Sequence, residues 1–229
     1  MLVEIKNLLS KEQLQNIQQH LSKGEFVDGR LSAGSAAVQV KNNQELGQNG
    51  QLVEYLNNMV MGTLVAHPAY QAAVMPLRVA SAFYARYLPG MHYGDHVDDP
   101  VMGAPGNAPG SGLYRTDVST TVFLNEPQDY DGGELVINTS FGEHKVKLNA
   151  GDAVTYPSSS LHHVAEVTRG ERLVAVTWAQ SMIREPARRE LLYTLYQAKE
   201  KLLRERPRDP ETAQVNTAYV NLVRMWSEL

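Results

Sequence analysis

Apolar residues recur along this chain in two rhythms. They first alternate over Leu2 to Ile5, which reads as a short strand, and then return at helical spacing in Leu14, Ile17 and Leu21. Ser10 followed three residues later by Gln13 is a capping box at the start of that helix, and Gly24 supplies its stop. Residues 28–50 are rich in Gly, Ser and Asn and read as turns around one short strand, Ala37 to Val40. Leu52, Val53, Leu56, Met59, Val60 and Leu64 share one face of a second helix, expected over Gln51 to Val65.

From Pro76 the rhythm shortens. Seven β-rich runs follow: LRVASAFYARY, DVSTTVFL, GELVI, HKVKL, DAVTYP, HHVAEV and RLVAVTWA. Turn signals separate them, among them Pro89-Gly90, Asp131-Gly132-Gly133, Asn149-Ala150-Gly151-Asp152 and Arg169-Gly170-Glu171. Strands at roughly ten-residue spacing without intervening helices predict an antiparallel sandwich or barrel. After Ser181 helical spacing returns. Leu191, Leu192, Leu195, Tyr196, Leu202 and Leu203 line one stretch, Pro207 and Pro210 break it, and Tyr219, Val220, Leu222, Val223 and Trp226 line a last helix. The reading is a mainly β core with flanking helices, α+β overall: 1–76 as an N-terminal strand and helices, 77–180 as the β domain, and 181–229 as a helical extension. The terminal helices cover sheet faces or form a homo-oligomer contact.

Composition narrows the function. The 229 residues are 43% hydrophobic and 20% charged, an ordinary globular balance. A net charge of −4 leaves no basic excess for phosphate backbones, so nucleic acid is not an expected partner. No apolar run approaches the roughly 20 residues a membrane span needs, and the N-terminus lacks a secretory pattern, so a cytoplasmic protein is expected. Cysteine is absent, which excludes disulfides, thiolate metal sites and cysteine nucleophiles. A metal here must be held by His, Asp or Glu.

The strongest chemical signal is His96-Val97-Asp98. On a strand, residues i and i+2 point to one face, so imidazole and carboxylate converge. Another candidate strand holds Leu161-His162-His163-Val164, 66 residues after His96. Two imidazoles and one carboxylate on a β scaffold form the facial triad of non-haem Fe(II) oxygenases, which leaves coordination positions open. Periodicity alone does not choose between His162 and His163. Arg172 follows His162 by ten residues, one turn and one strand later, and its planar fork suits a carboxylate. An adjacent antiparallel strand would aim it into the same cavity.

The order His96-x-Asp98, His162, Arg172 on this β pattern resembles the Fe(II)/2-oxoglutarate dioxygenases of the prolyl-4-hydroxylase-like branch. The strings YLPGMHYGDHVDDPVMG, RTDVSTTVFLNEPQDYDGGELVI and LNAGDAVTYPSSSLHHVAEVTRGERLVAVTWAQSMIR are similar to the PKHD-type (PiuC-like) hydroxylases, a group linked with iron uptake. The resemblance implies a double-stranded β-helix, or jelly roll, with Fe(II), 2-oxoglutarate, O₂ and often ascorbate as reductant. Its Leu-His-x-Val pattern selects His162. It implies that His96, Asp98 and His162 bind iron and that Arg172 pairs with the distal carboxylate of 2-oxoglutarate. Tyr87 resembles a co-substrate-binding tyrosine, and Thr121 would line the same pocket. No residue names the substrate, peptide or small molecule. The alternatives are a cupin-like metal hydrolase and a non-catalytic metal-binding β-barrel sensor.

Other features have plainer readings. His20, His67 and His144 are satisfied structural residues, and His92 belongs to the turn after Pro89-Gly90. Asp131-Gly132-Gly133-Glu134 is turn chemistry. Asp99 to Arg115, rich in Pro and Gly, reads as a loop free of helix or strand that could close over substrate.

Overall fold

The computed structural model describes residues 1–48, 50–103 and 112–229. Two antiparallel sheets face one another across a shared core. The larger sheet runs in the order Val3–Ile5, Ala153–Pro157, Val118–Phe123, Arg172–Ser181, Phe83–Tyr87, Gln44–Leu46, Phe26–Asp28, with Pro76–Val79 also paired to Arg172–Ser181. The smaller runs Gly142–Val146, Leu135–Thr139, His162–Val164, His92–His96, Lys41–Asn42. From Phe83 on, the chain passes repeatedly between the two sheets, as in a jelly roll, with Leu135–Thr139 and Gly142–Val146 forming a hairpin within the smaller one. Between the sheets, Tyr87, Phe123, Val154, Tyr156 and Val174 of the larger pack with Leu135, Ile137, Val146 and Val164 of the smaller.

The helices explain why the larger sheet is buried on both faces. All six residues of Val118–Phe123 are buried. Val118 and Val122 turn away from the second sheet and join a core with Leu14, Ile17, Leu21, Leu56, Val60 and Leu64 of helices Lys11–Leu21 and Gln51–Ala66. The first helix begins with both halves of the Ser10–Gln13 capping box in place. A third helix, Pro68–Val74, was not expected from the sequence. Pro68 stands at its first turn and His67 caps it, accepting from the Ala69 amide through Nδ1. The two C-terminal helices, Pro186–Glu205 and Pro210–Trp226, pack Leu192, Tyr219, Leu222, Val223 and Trp226 around Met75 and Ile183. Among the described residues no helix is long and apolar enough to cross a membrane.

Several local expectations are corrected. Ala37–Gln39 is a 3-10 turn rather than part of a strand, and extended pairing starts only at Lys41. Alanine has little β preference, and the Gln39 and Val40 amides are satisfied three residues back. The same region supplies the unforeseen strands Phe26–Asp28 and Gln44–Leu46, each of three residues and too short to show an alternation. His92 opens a strand instead of lying in the turn, because it pairs with Asn42. The run 77–87 is two strands, interrupted around residues 80–82. The 99–115 segment is not wholly irregular: Val101–Met102 pairs with Tyr114–Arg115 in a short ladder. The expectation of a closing loop rests largely on 104–111, which lie outside the described residues.

Candidate metal and co-substrate site

His162 and His96 are direct cross-strand partners in the smaller sheet, and their ring centroids lie 4.3 Å apart. The strand ends at His96, and the chain then carries Asp98 back toward both rings. Asp98 Oδ1 is 3.7 Å from His96 Nε2 and 3.8 Å from His162 Nε2. One ligating atom from each residue falls within 4.8 Å of the others, close enough to surround a single ion.

The surroundings prepare these rings to be ligands. His96 Nδ1 lies 2.8 Å from the Gly94 carbonyl and His162 Nδ1 lies 2.9 Å from that of Ser160. A carbonyl only accepts, so each Nδ1 carries the hydrogen and each Nε2 keeps its lone pair toward Asp98. Burial, with the neighbouring His162 ring second, pushes the His96 pKa down to about 4, which keeps its imidazole neutral near pH 7. Tyr93 stacks on His96 at 3.7 Å between centroids, and Tyr156 meets His162 edge-on at 5.2 Å. His163 points the other way. It is partly exposed and pairs with Asp95 on the outer face at 2.8 Å.

Arg172, Tyr87 and Thr121 line the same cavity of about 120 Å³ as the two histidines and Asp98. Arg172 reaches it from the larger sheet, across from His162 rather than from an adjacent strand. The Val167–Gly170 strand pairs with Tyr130–Gly132, and the chain then crosses over before Arg172 begins. Arg172 is 1% exposed, yet its Nε and Nη1 have no hydrogen-bond partner among the described residues. Tyr87 and Phe123 present ring faces at 4.9 and 5.9 Å from the guanidinium carbon. A buried cation with orphaned donors is costly unless an anion meets it. The donor set and this unsatisfied guanidinium fit Fe(II) and a dicarboxylate respectively.

The sequence reading passed over four polar residues here. Lys41 and Glu45 form a buried pair at 2.5 Å on the cavity wall. Ser119 donates to Asp98 Oδ2, and Ser158 contacts Ser119. Ser119 could have been flagged by lying two residues before Thr121, hence on the same face. The others carry no local signal.

Comparison with known proteins decides the family. PKHD-type hydroxylase Tgr7_2199 from Thioalkalivibrio sulfidiphilus is 53% identical over 229 residues, covering 100% of both chains. The chain belongs to the PKHD-type hydroxylases. Residues 82–180 match the model of the 2OG-Fe(II) oxygenase superfamily, and 187–228 match that of the PKHD-type hydroxylase C-terminal domain. Solved structures agree in fold. A Pseudomonas putida prolyl-4-hydroxylase aligns with a TM-score of 0.53 at 20% identity, covering 79% of this chain and 92% of that one. A Trichoplax adhaerens prolyl hydroxylase, in complex with a hypoxia inducible factor peptide fragment, aligns at 0.56 with 17% identity, covering 78% and 82%. Membership makes this PKHD-type chain an Fe(II)- and 2-oxoglutarate-dependent hydroxylase that uses O₂.

Proposed function

We propose that His96, Asp98 and His162 hold the Fe(II), that Arg172 binds the distal carboxylate of 2-oxoglutarate, and that the substrate is a peptide or small molecule presented at the cavity mouth. The observation that carries this reading is the buried Arg172 guanidinium, whose Nε and Nη1 have no partner among the described residues, in one cavity with the His-Asp-His cluster. When bound, iron and 2-oxoglutarate together supply O₂-driven decarboxylation to succinate and CO₂ with hydroxylation of a substrate C–H bond.

The chain's own residues bind, orient and shield. Arg172 offers two parallel donors, which sets the direction in which a dicarboxylate lies. Tyr87 closes one side of that pocket and presents a phenol whose pKa burial raises, so it remains a donor. Thr121, two residues along the strand from Phe123, adds a hydroxyl to the pocket wall. Phe83, Val176 and Trp178, neighbours on two paired strands, join Ala37 and Met102 in the apolar part of the cavity lining, which helps exclude water from the reacting centre. In this reading 77–180 carries the metal and co-substrate residues, 1–76 adds strands and part of the cavity wall, and 181–229 buttresses them.

Succinate release measured with and without added Fe(II), 2-oxoglutarate and O₂ tests the proposal. Formation dependent on all three, and lost in Arg172→Ala with metal binding retained, is expected. Metal binding without succinate formation would favour a sensor, and O₂-independent turnover with zinc a hydrolase. Ascorbate is expected to prolong turnover by keeping the metal ferrous. A screen across peptides and iron-chelating small molecules addresses the substrate, the latter arm testing the link to iron uptake.

A further inference from the structure

We propose that Ser119 and Ser158 are positioning residues that lock one oxygen of Asp98, leaving the other as a single ligating atom. The inference rests on the metal reading above.

The two oxygens of Asp98 have different surroundings. Oδ1 faces both imidazole Nε2 atoms, at 3.7 and 3.8 Å. Oδ2 accepts from Ser119 Oγ at 2.5 Å, the short end of the range for a hydroxyl on a carboxylate. Ser119 Oγ lies in turn 2.7 Å from Ser158 Oγ. A serine has one hydroxyl hydrogen, and an ionised carboxylate only accepts. Ser119 therefore gives its hydrogen to Asp98, and Ser158 is the donor in the second bond. The chain is directed: Ser158 to Ser119 to Asp98.

Its members come from different parts of the fold. Asp98 follows the His92–His96 strand of the smaller sheet, whereas Ser119 belongs to Val118–Phe123 of the larger. Ser158 follows Ala153–Pro157, which is paired to the Ser119 strand with Val118 opposite Pro157. Both serines are buried, at 0% and 2% exposure. Buried hydroxyls are costly unless satisfied, and an alanine pair would serve packing alone equally well. The hydroxyls sit where their bonds end on the one anionic member of the cluster.

The consequence is a count of open positions. A carboxylate with both oxygens free can chelate an ion through both and occupy one position more. With Oδ2 held by Ser119, Asp98 contributes one atom, so the triad uses three positions and leaves the rest for 2-oxoglutarate and O₂. Ser119 thus acts on the metal through Asp98, and Ser158 acts through Ser119.

The test uses the full chain with Mn(II) and Co(II), without 2-oxoglutarate. Ser119→Ala is expected to weaken Mn(II) binding by about 10- to 100-fold, the usual effect of losing a ligand's hydrogen-bond partner, and to alter the visible Co(II) absorption bands. Ser119→Thr keeps the hydroxyl and is expected to restore both. Wild-type Mn(II) affinity and Co(II) bands in folded Ser119→Ala would overturn the proposal, as would Ser119→Thr behaving like Ser119→Ala. If Ser119→Ala does not fold, Ser158→Ala decides. A loss of about threefold to tenfold in Mn(II) affinity with shifted Co(II) bands supports the chain, and unchanged values overturn it. Wild-type protein that binds neither ion would instead remove the metal reading itself, so the two failures are distinguishable.

Discussion

Tyr87 and Arg172 stand directly opposite each other in the antiparallel pairing of Phe83–Tyr87 with Arg172–Ser181, and the guanidinium carbon lies 4.9 Å from the tyrosine ring centroid. A cation over an aromatic face gains about 0.5–2 kcal/mol. Taking a guanidinium out of water costs several kcal/mol. The ring therefore offsets only part of the burial, and the orphaned Nε and Nη1 mark what is left for an anion to supply. The pairing also fixes direction, because the larger sheet holds the cation and the smaller sheet holds the two histidines.

The first prediction concerns that anion. Charge-assisted hydrogen bonds contribute about 1.5–3 kcal/mol each. Loss of about 3 kcal/mol in Arg172→Ala would weaken 2-oxoglutarate by roughly a hundredfold. Calorimetric titration of the Mn(II)-loaded protein is the measurement, and Mn(II) affinity itself should survive. Arg172→Lys should recover little, since a point charge cannot reproduce the planar fork. Unchanged 2-oxoglutarate affinity in Arg172→Ala would remove the co-substrate assignment.

Tyr87→Phe isolates the phenol. The ring under Arg172 stays, so the fold and the cation–aromatic contact should persist. Losing one hydrogen bond to the co-substrate, about 0.5–1.5 kcal/mol, should weaken 2-oxoglutarate by about threefold to tenfold, well short of the Arg172→Ala effect. Thr121→Val, close in shape, is expected to give an equal or smaller loss in the same titration. No loss in either variant would reduce both residues to packing.

The neighbouring histidines separate cleanly. His162 is 4% exposed with Nε2 toward Asp98, while His163 makes a partly exposed ion pair with Asp95. His162→Ala should abolish binding of one Mn(II) per chain. His163→Ala should leave Mn(II) affinity unchanged and cost at most about 1 kcal/mol of stability, as exposed pairs do. The reverse result would reassign the ligand.

This pair also shows where the sequence could be read and where it could not. The start of the first helix was legible because its cap is local: Ser10 and Gln13 both act within one turn. His96-x-Asp98 was legible because two residues of the site lie within three positions. His162 and His163 were ambiguous from periodicity because apolar Leu161 and Ala165 alternate with His163, so apolar content pointed to the face that is partly exposed, while His162 is buried only by the opposing sheet. The pairing that places His162 opposite His96 joins segments 66 residues apart. Arg172 was identified while its strand was misplaced, because which sheet a strand joins depends on long-range pairing. Lys41, Glu45, Ser119 and Ser158 left almost no local trace, since each matters only through burial against distant segments.

The last prediction concerns how the C-terminal helices support the site. Arg189, on Pro186–Glu205, is 3% exposed. Its Nη1 donates to the Ile183 and Arg184 carbonyls at 2.7 and 2.8 Å, and its Nη2 to the Asp117 carbonyl at 3.2 Å. The Asp117 carboxylate accepts from Arg115 Nε and from the Ser181 amide, and its carbonyl also receives the Ser158 amide. Asp117 immediately precedes the strand that bears Ser119 and Thr121, so one buried guanidinium ties the helix to the base of the site. Truncating it leaves buried carbonyls short of a donor, and a loss on the order of 3 kcal/mol is expected for Arg189→Ala in urea unfolding of the metal-free protein. Arg189→Lys should recover only part, because one ammonium cannot span the three carbonyls as the fork does. Arg188, next in the chain, pairs at the surface with Glu185 and lies 5.4 Å from the Trp226 ring centroid, so Arg188→Ala should change stability by about 1 kcal/mol or less. Equal unfolding midpoints for the two alanine variants would show that the helix is held by its apolar contacts alone.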